Sequence, residues 1–296
     1  MTDLQYALLG STYVRCGRTA QSVPAGFYNV VDMGMRGYGL DPKPIVSDTL
    51  IDLPGTVADE IFDDIESFMS TAGIYRDFGL THKRGYLMYG PGGTGKTSIG
   101  LMLARRFIAK TGGVVIFAPD AASFYSGVAI MREVEPGRPS MYLMEEVDAL
   151  VVNTHCLSIL DGELSIQGAV FVAMTNYKKR LPRRITNRPG RFARVTLISA
   201  PPMPIQVEYL TRLASRRPDL LVGKASPLSV VKHLEGVSMT MDHLREAFVS
   251  HVIMGESLDD IRDRFIAMAS SDDEPDEDRD DLNFWEPSDD QKIKIT

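Results

Sequence analysis

The stretch RGYLMYGPGGTGKTSIGLMLARRFIAK, residues 84–110, carries the fold in its order of signals. A short apolar run at 84–90 reads as a strand, GPGGTGKT at 90–97 as a glycine-rich loop, and Ser98 to Lys110 as a helix stopped by Gly112 and Gly113. Gly90, Gly95, Lys96 and Thr97 stand at the spacing of a phosphate-binding loop. Without side-chain bulk, backbone N–H groups can curl around phosphate oxygens, and the following helix adds its positive N-terminus. Nucleotide is therefore expected on Gly90, Pro91, Gly92, Gly93, Thr94, Gly95, Lys96, Thr97 and Ser98. In such a loop Lys96 reaches the β- and γ-phosphates and the Thr97 hydroxyl binds Mg²⁺.

Working outward, the strand signal recurs in VVIFA (114–118), SMYLMEE (140–146), AVFVAM (169–174) and RVTLIS (194–199). Strands apolar throughout are buried on both faces, so the expected fold class is α/β, a P-loop parallel sheet with helices on both faces. Upstream, TVADEIFDDIESFMSTAGIY sets Val57, Ile61, Ile65, Phe68 and Met69 at helical spacing. After Pro201 and Pro202 the strand signal stops, and QVEYLTRLASRR, SPLSVVKHLEG, TMDHLREAFVSHVIM and SLDDIRDRFIAMA read as helices. The expected division is an N-terminal extension at 1–46 with little regular structure, an α/β domain at 47–200, a helical lid domain at 201–269, and an acidic disordered tail at 270–296. No internal repeat stands out.

MYLMEEVDAL at 141–150 ends an apolar strand on two carboxylates. Glu145 and Glu146 leave it at the C-terminal end, where ligands bind in open α/β sheets. Glu145 is the expected metal carboxylate, acting through water beside Thr97, and Glu146 the expected general base. Taken alone, the pair also reads as a solvated strand end.

Composition removes other classes. The 296 residues are 44% hydrophobic and 24% charged, ordinary for a folded globular chain. Cys16 and Cys156 are too few and too far apart for a disulfide framework or a cysteine zinc site, and the five histidines show no metal spacing. No apolar run reaches the ~18 residues of a membrane span, and the first residues lack the pattern of a signal peptide. The chain is expected in the cytoplasm, of a bacterium or of a bacteriophage-infected host cell. Of the net charge of -7, residues 271–296 account for -8, with eleven Asp or Glu against Arg279, Lys292 and Lys294, so the body is +1. Such a tail buries too little apolar surface to offset its ordering entropy, and the body is not the strongly basic surface of a dedicated duplex-DNA binder.

The order of P-loop, acidic strand, VFVAMTN and RRITNRPGRF resembles the AAA subgroup of the AAA+ ATPases. IYRDFGLTHKRGYLMYGPGGTGKTS and LSILDGELSIQGAVFVAMTNY are similar to its Bcs1-type branch, which also opens its acidic pair with Glu. The resemblance covers residues 47–265. It departs at Pro91-Gly92, where the family has Pro-Pro, and at Glu146, where the branch has Asp. The membrane-spanning segment of the mitochondrial members is not seen here, so membrane localisation and that branch's substrate are not carried over.

The resemblance implies a ring homo-oligomer, in that family of six or seven subunits, with ATP and Mg²⁺ at subunit interfaces. It makes Asn176 the sensor that orients the lytic water, and Arg188 and Arg191 the paired arginine fingers reaching a neighbour's γ-phosphate. Arg183 and Arg184 read as solvated charge. Within APDAASFYSGVAIMREVEPGRP, the segment that faces the pore in such rings, Phe124 and Tyr125 are the candidates for gripping an extended polypeptide. Packing of one of the two rings in the core is the competing reading. Ile74 and Tyr75 are the implied adenine contacts. Arg245 stands on a helix suited to a second sensor and reads equally as a solvated face. The implied function is Mg²⁺-dependent ATP hydrolysis by a ring that remodels or threads a protein substrate. A nucleic-acid motor or loader and a slow nucleotide-gated scaffold are the two alternatives.

Overall fold

The structure is a computed structural model; it describes residues 5–9, 11–17, 19–45, 50–53, 55–150, 154–161, 166–182, 185 and 190–271. Expectations for Arg183, Arg184, Arg188 and the acidic tail from residue 272 onward fall outside these residues.

A hairpin of β1 (Gln5–Leu9) and β2 (Thr12–Cys16) precedes a seven-stranded sheet. The sheet contains β3 (Gly26–Asp32), β4 (Tyr38–Pro42), β5 (Lys83–Tyr89), β6 (Val114–Phe117), β7 (Ser140–Met144), β8 (Ala169–Thr175) and β9 (Arg194–Leu197), in the order β4-β3-β6-β7-β8-β5-β9. All neighbours are parallel except the edge pair β3–β4. The expectation of little structure before residue 47 is thereby corrected: β3 lies against β6, with Phe27 and Tyr28 buried. The outer end of β3 and most of β4 face solvent, so these strands lack the unbroken apolar run that marks the central ones.

Helices cover both faces. On one lie α1 (Val57–Met69) and α3 (Lys96–Thr111), burying Ile61, Ile65, Phe68, Leu103 and Phe107 against Met88, Leu143 and Val172. On the other lie α4 (Ala121–Val134) and α6 (Thr154–Asp161), burying Phe124, Val128, Met131 and Leu160 against Leu87, Tyr142 and Phe171. Alternate residues of one strand thus feed opposite cores, and each such side chain contributes roughly 1.5–3 kcal/mol. Two short helices, α2 (Ala72–Asp77) and α5 (Val147–Leu150), complete this part.

Beyond β9 come α7 (Met203–Ala214), α8 (Pro227–His233), α9 (Met241–Phe248) and α10 (Leu258–Ser271), with their own core around Leu210, Leu234, Leu244, Ile261 and Phe265. Leu53 joins that core, while Leu50 packs on Ala58 and Met102. Between them Asp52 pairs with Arg106 of α3 at 2.6 Å, and its carbonyl accepts from Arg212 of α7. Residues 50–53 therefore strap the helical part to the P-loop helix. Among the described residues no helix is long and apolar enough to cross a membrane.

Candidate nucleotide site

The loop 90–95 joins β5 to α3, and its glycines answer to close neighbours. A Cβ on Gly90 would stand 2.0 Å from the Ile198 carbonyl oxygen, so no other residue fits there. At Gly93, φ is +73° and a Cβ would meet Thr240 Oγ1 at 2.9 Å. The Asp242 N–H donates to the Gly93 carbonyl at 3.2 Å, so the N-terminus of α9 sits directly on the loop. Thr94 Oγ1 donates to the Pro91 carbonyl at 3.0 Å. Lys96 Nζ donates to the carbonyls of Gly90 (2.8 Å) and Pro91 (2.7 Å), and burial lowers its pKa. A buried ammonium held only by neutral carbonyls has much to gain from an anion. Thr97, on the first turn of α3, is exposed, and Ser98 is half-buried.

Every side chain of β7 is buried up to Met144, after which Glu145 is half-buried and Glu146 exposed. Glu146 has φ +47°, the one positive value at a non-glycine among the described residues. That conformation costs about 1–2 kcal/mol for an ordinary L residue, so strain is held at the expected base. Asn176 leaves the end of β8 exposed, beside the loop, since the Gly90 N–H donates to the Thr175 carbonyl at 3.3 Å. Because β8 lies between β5 and β7, the expected phosphate, sensor and base residues share one edge of the sheet.

Asp148 is a residue the sequence reasoning passed over. It accepts from the Thr175 hydroxyl, which in turn accepts from the Tyr177 N–H at 2.9 Å. This chain ties the turn after Glu146 to the backbone on both sides of Asn176. Its only sequence signal is a third acid two residues past Glu146.

A cavity of about 360 Å³ opens beside the loop, lined by Ile51, Leu53, Ile205, Tyr209 and Met241 among others. Its apolar walls and its place next to Thr94, Gly95 and Ser98 suit a nucleobase. The expectation for Ile74 and Tyr75 is corrected: neither lines this cavity, Ile74 is exposed, and Tyr75 packs edge-on against Phe68 and His82. Arg245 does line it, 3.7 Å from Asp242. Burial raises the Tyr209 pKa, with Arg245 opposing and Asp242 adding to the shift.

Phe124 is also corrected. It is fully buried and edge-on to Tyr142 (6.0 Å) and Phe171 (5.8 Å), because Phe124, Val128 and Met131 share the core-facing stripe of α4. The segment is a helix capped by Asp120, whose Oδ1 accepts from the Ser123 N–H at 2.8 Å. Only Tyr125 of the two is exposed.

Arg191 is 5% exposed and forms a two-pronged ion pair with Asp161, Nε to Oδ1 at 2.6 Å and Nη2 to Oδ2 at 2.5 Å. It lies at the opposite end of the sheet from its own loop, since the Ala193 N–H donates to the Gly85 carbonyl at 2.9 Å. The five residue steps from Gly85 to Gly90 span about 16 Å. Among the described residues no three His, Cys, Asp or Glu side chains gather as a metal site. Mg²⁺ carried largely by phosphate oxygens needs no such cluster, and the oxygens of Thr97 and Glu145 are the hard donors it takes.

The model of the family described as "ATPase family associated with various cellular activities (AAA)" matches residues 86–200. The ATP-dependent zinc metalloprotease FtsH 2 of Thermoanaerobacter sp. (strain X514) is 29% identical over 51% of this chain and 34% of its own length. The mitochondrial chaperone BCS1 of Danio rerio is 29% identical over 47% of this chain and 37% of its own. The human ATPase family gene 2 protein homolog A is 30% identical over 50% of this chain and 19% of its own. The chain thus spans about a third of these relatives' length or less.

Proposed function

We propose that this chain, whose residues 86–200 match the model of the AAA ATPase family, hydrolyses ATP with Mg²⁺ in a ring of like subunits, and that turnover remodels or threads a protein substrate. The observation that carries the reading is the meeting of Lys96, Glu146 and Asn176 at the C-terminal edge of the three adjacent strands β5, β7 and β8. The reading takes residues 47–200 as the nucleotide-binding domain and 201–269 as its lid.

The chemistry follows from the side chains. Lys96 exchanges two carbonyls for phosphate oxygens, and the loop N–H groups bind the rest of the polyphosphate. Thr97 and Glu145 would hold Mg²⁺, which would neutralise negative charge on the polyphosphate. Glu146 takes the proton of the attacking water, and Asn176 orients that water. The Asp148–Thr175 hydrogen bond keeps base and sensor in register. Arg191, about 16 Å along the strand from its own loop, suits a neighbour's γ-phosphate better than its own. FtsH 2 and BCS1 are named for proteolysis and chaperoning, which favours a protein substrate over nucleic acid, as does a body charge of only +1.

Titration with a fluorescent ATP analogue, alongside phosphate release, tests the assignment. Lys96→Ala loses binding and turnover together, because Lys96 meets charge present in the ground state. Glu146→Gln keeps binding and loses turnover, because the base acts only during attack. Wild-type turnover in Glu146→Gln would remove Glu146 as base, and wild-type binding in Lys96→Ala would remove the site.

A further inference from the structure

β4 closes one side of the seven-stranded sheet, and among the described residues no strand lies beyond it. The Lys43 N–H donates to the Phe27 carbonyl at 2.7 Å, and the Met33 N–H donates to the Gly37 carbonyl at 2.8 Å. With Val30 opposite Leu40, alternation along the ladder turns the main-chain groups of Gly39 and Asp41 toward β3 and those of Tyr38, Leu40 and Pro42 outward. The free edge therefore offers N–H donors at Tyr38 and Leu40 and none at Pro42.

The two faces of this edge differ. Leu40 packs toward the core that holds Phe124 and Val128 of α4, and Tyr38 lies on the same side. A groove of about 680 Å³ runs between Tyr38 and α4, where Ala122, Ala129 and Ile130 present small or apolar side chains and Tyr125 is exposed. On the opposite face Asp41 is exposed, and Lys43 lays its ammonium over Phe117 at 3.6 Å. A strand added to this edge must set apolar side chains beside Tyr38 and Leu40, a base beside Asp41 and an acid beside Lys43.

The sequence DQKIKI at 290–295, outside the described residues, carries that pattern. Run antiparallel, Ile295 beside Tyr38 and Ile293 beside Leu40 put Lys292 opposite Asp41 and Asp290 opposite Lys43. A slip of one residue turns the isoleucines away from the groove, and a slip of two sets Lys292 against Lys43 or Asp290 against Asp41. The residues between Ser271, where α10 ends, and Asp290 extend to about 60 Å, more than the breadth of a domain of this size.

We propose that residues 290–295 add to β4 as an antiparallel strand in this register, on the same copy of the chain or an adjacent one. The added strand fills the groove beside Tyr125 and covers an edge that is otherwise a template for pairing with other proteins. Two apolar side chains and two main-chain pairs make the docking reversible. A preference of about fivefold for the docked state moves Tm by about 2 °C or less. The proposal stands apart from the ATPase reading.

Hydrogen exchange at the Tyr38 and Leu40 amides of the full chain is the test, with melting curves for each variant. Both amides exchange about fivefold more slowly in the wild type than in Ile293→Asp/Ile295→Asp. Asp41→Lys loses most of that protection, and Asp41→Lys/Lys292→Asp regains it. Equal exchange in the wild type and the isoleucine variant, whether fast or slow, overturns the proposal, as does a charge reversal that restores nothing. Register is read by disulfide formation in a Cys16→Ser background. Asp41→Cys/Lys292→Cys, a directly opposed pair, closes about tenfold faster than Asp41→Cys/Ile293→Cys, whose second thiol faces α4, and gels separate links within one copy from links between copies. Equal closure rates would mean chance collision and would overturn the assigned register.

Discussion

Substituting Glu146 should move stability and activity in opposite directions. At φ +47° its backbone lies in the left-handed region, which asparagine and glycine enter more readily than glutamate or glutamine. Replacement by Gln removes the charge and leaves the backbone cost in place. Replacement by Asn removes the charge and relieves part of the 1–2 kcal/mol that the region costs, about 0.5–1 kcal/mol. For a chain of this size that gain is a rise in Tm of about 1–4 °C for Glu146→Asn over Glu146→Gln. Both variants lose the base, so turnover falls by about 10²–10⁴. The comparison between the variants cancels the relief of repulsion from Glu145 and Asp148, which both share. Paired melting curves and phosphate release are the assay. Equal Tm values would refute the claim that strain is stored at this residue, and wild-type turnover in either would refute its role.

Other consequences follow from the packing and the charges. Phe124→Ala should destabilise by about 3–5 kcal/mol, because it empties a filled aromatic site, while Tyr125→Ala stays within about 0.5 kcal/mol; denaturant midpoints compare them. Burial alone would raise the Asp64 pKa, but hydrogen bonds from Tyr86 and Arg84 and the charges of Arg84 and Arg194 outweigh it and hold it below the ordinary value. The stability so gained is present above the unfolded-state pKa near pH ~4 and is lost as pH falls toward the lower folded value; Asp64→Asn should flatten that part of the acid melting profile, and an unchanged slope would count against it. Deleting residues 272–296, charged -8 and poor in apolar side chains, should leave Tm nearly unchanged, and a marked drop would mean that they pack on the body.

What could be read from residues alone divides along physical lines. The phosphate loop was legible because its glycines, Lys96 and Thr97 stand at fixed spacing within one strand–loop–helix segment, even though the neighbours that crowd Gly90 and Gly93, the Ile198 carbonyl and Thr240, come from distant parts of the chain. The central strands were legible because burial on both faces removes polar residues from the run. β3 and β4 were not, since an edge that is wet on one side leaves no such run. The cavity was misassigned because its walls come from residues 51–53, α7 and α9, brought together only by folding. Phe124 could have been placed from its spacing to Val128 and Met131, which is that of a core-facing helical stripe. The engagement of Arg191 with Asp161 had no such signal, because thirty residues separate them.

The most direct measurement mixes two inactive proteins. Lys96→Ala subunits lack a working phosphate loop, and Arg191→Ala subunits lack the arginine expected to act on a neighbour. If ATP is hydrolysed at interfaces between subunits, mixing them restores turnover at those interfaces where an intact loop meets an intact arginine. The account predicts recovery that peaks near equal proportions, with assembly followed by light scattering. Assembled mixtures that stay as inactive as either parent would contradict it.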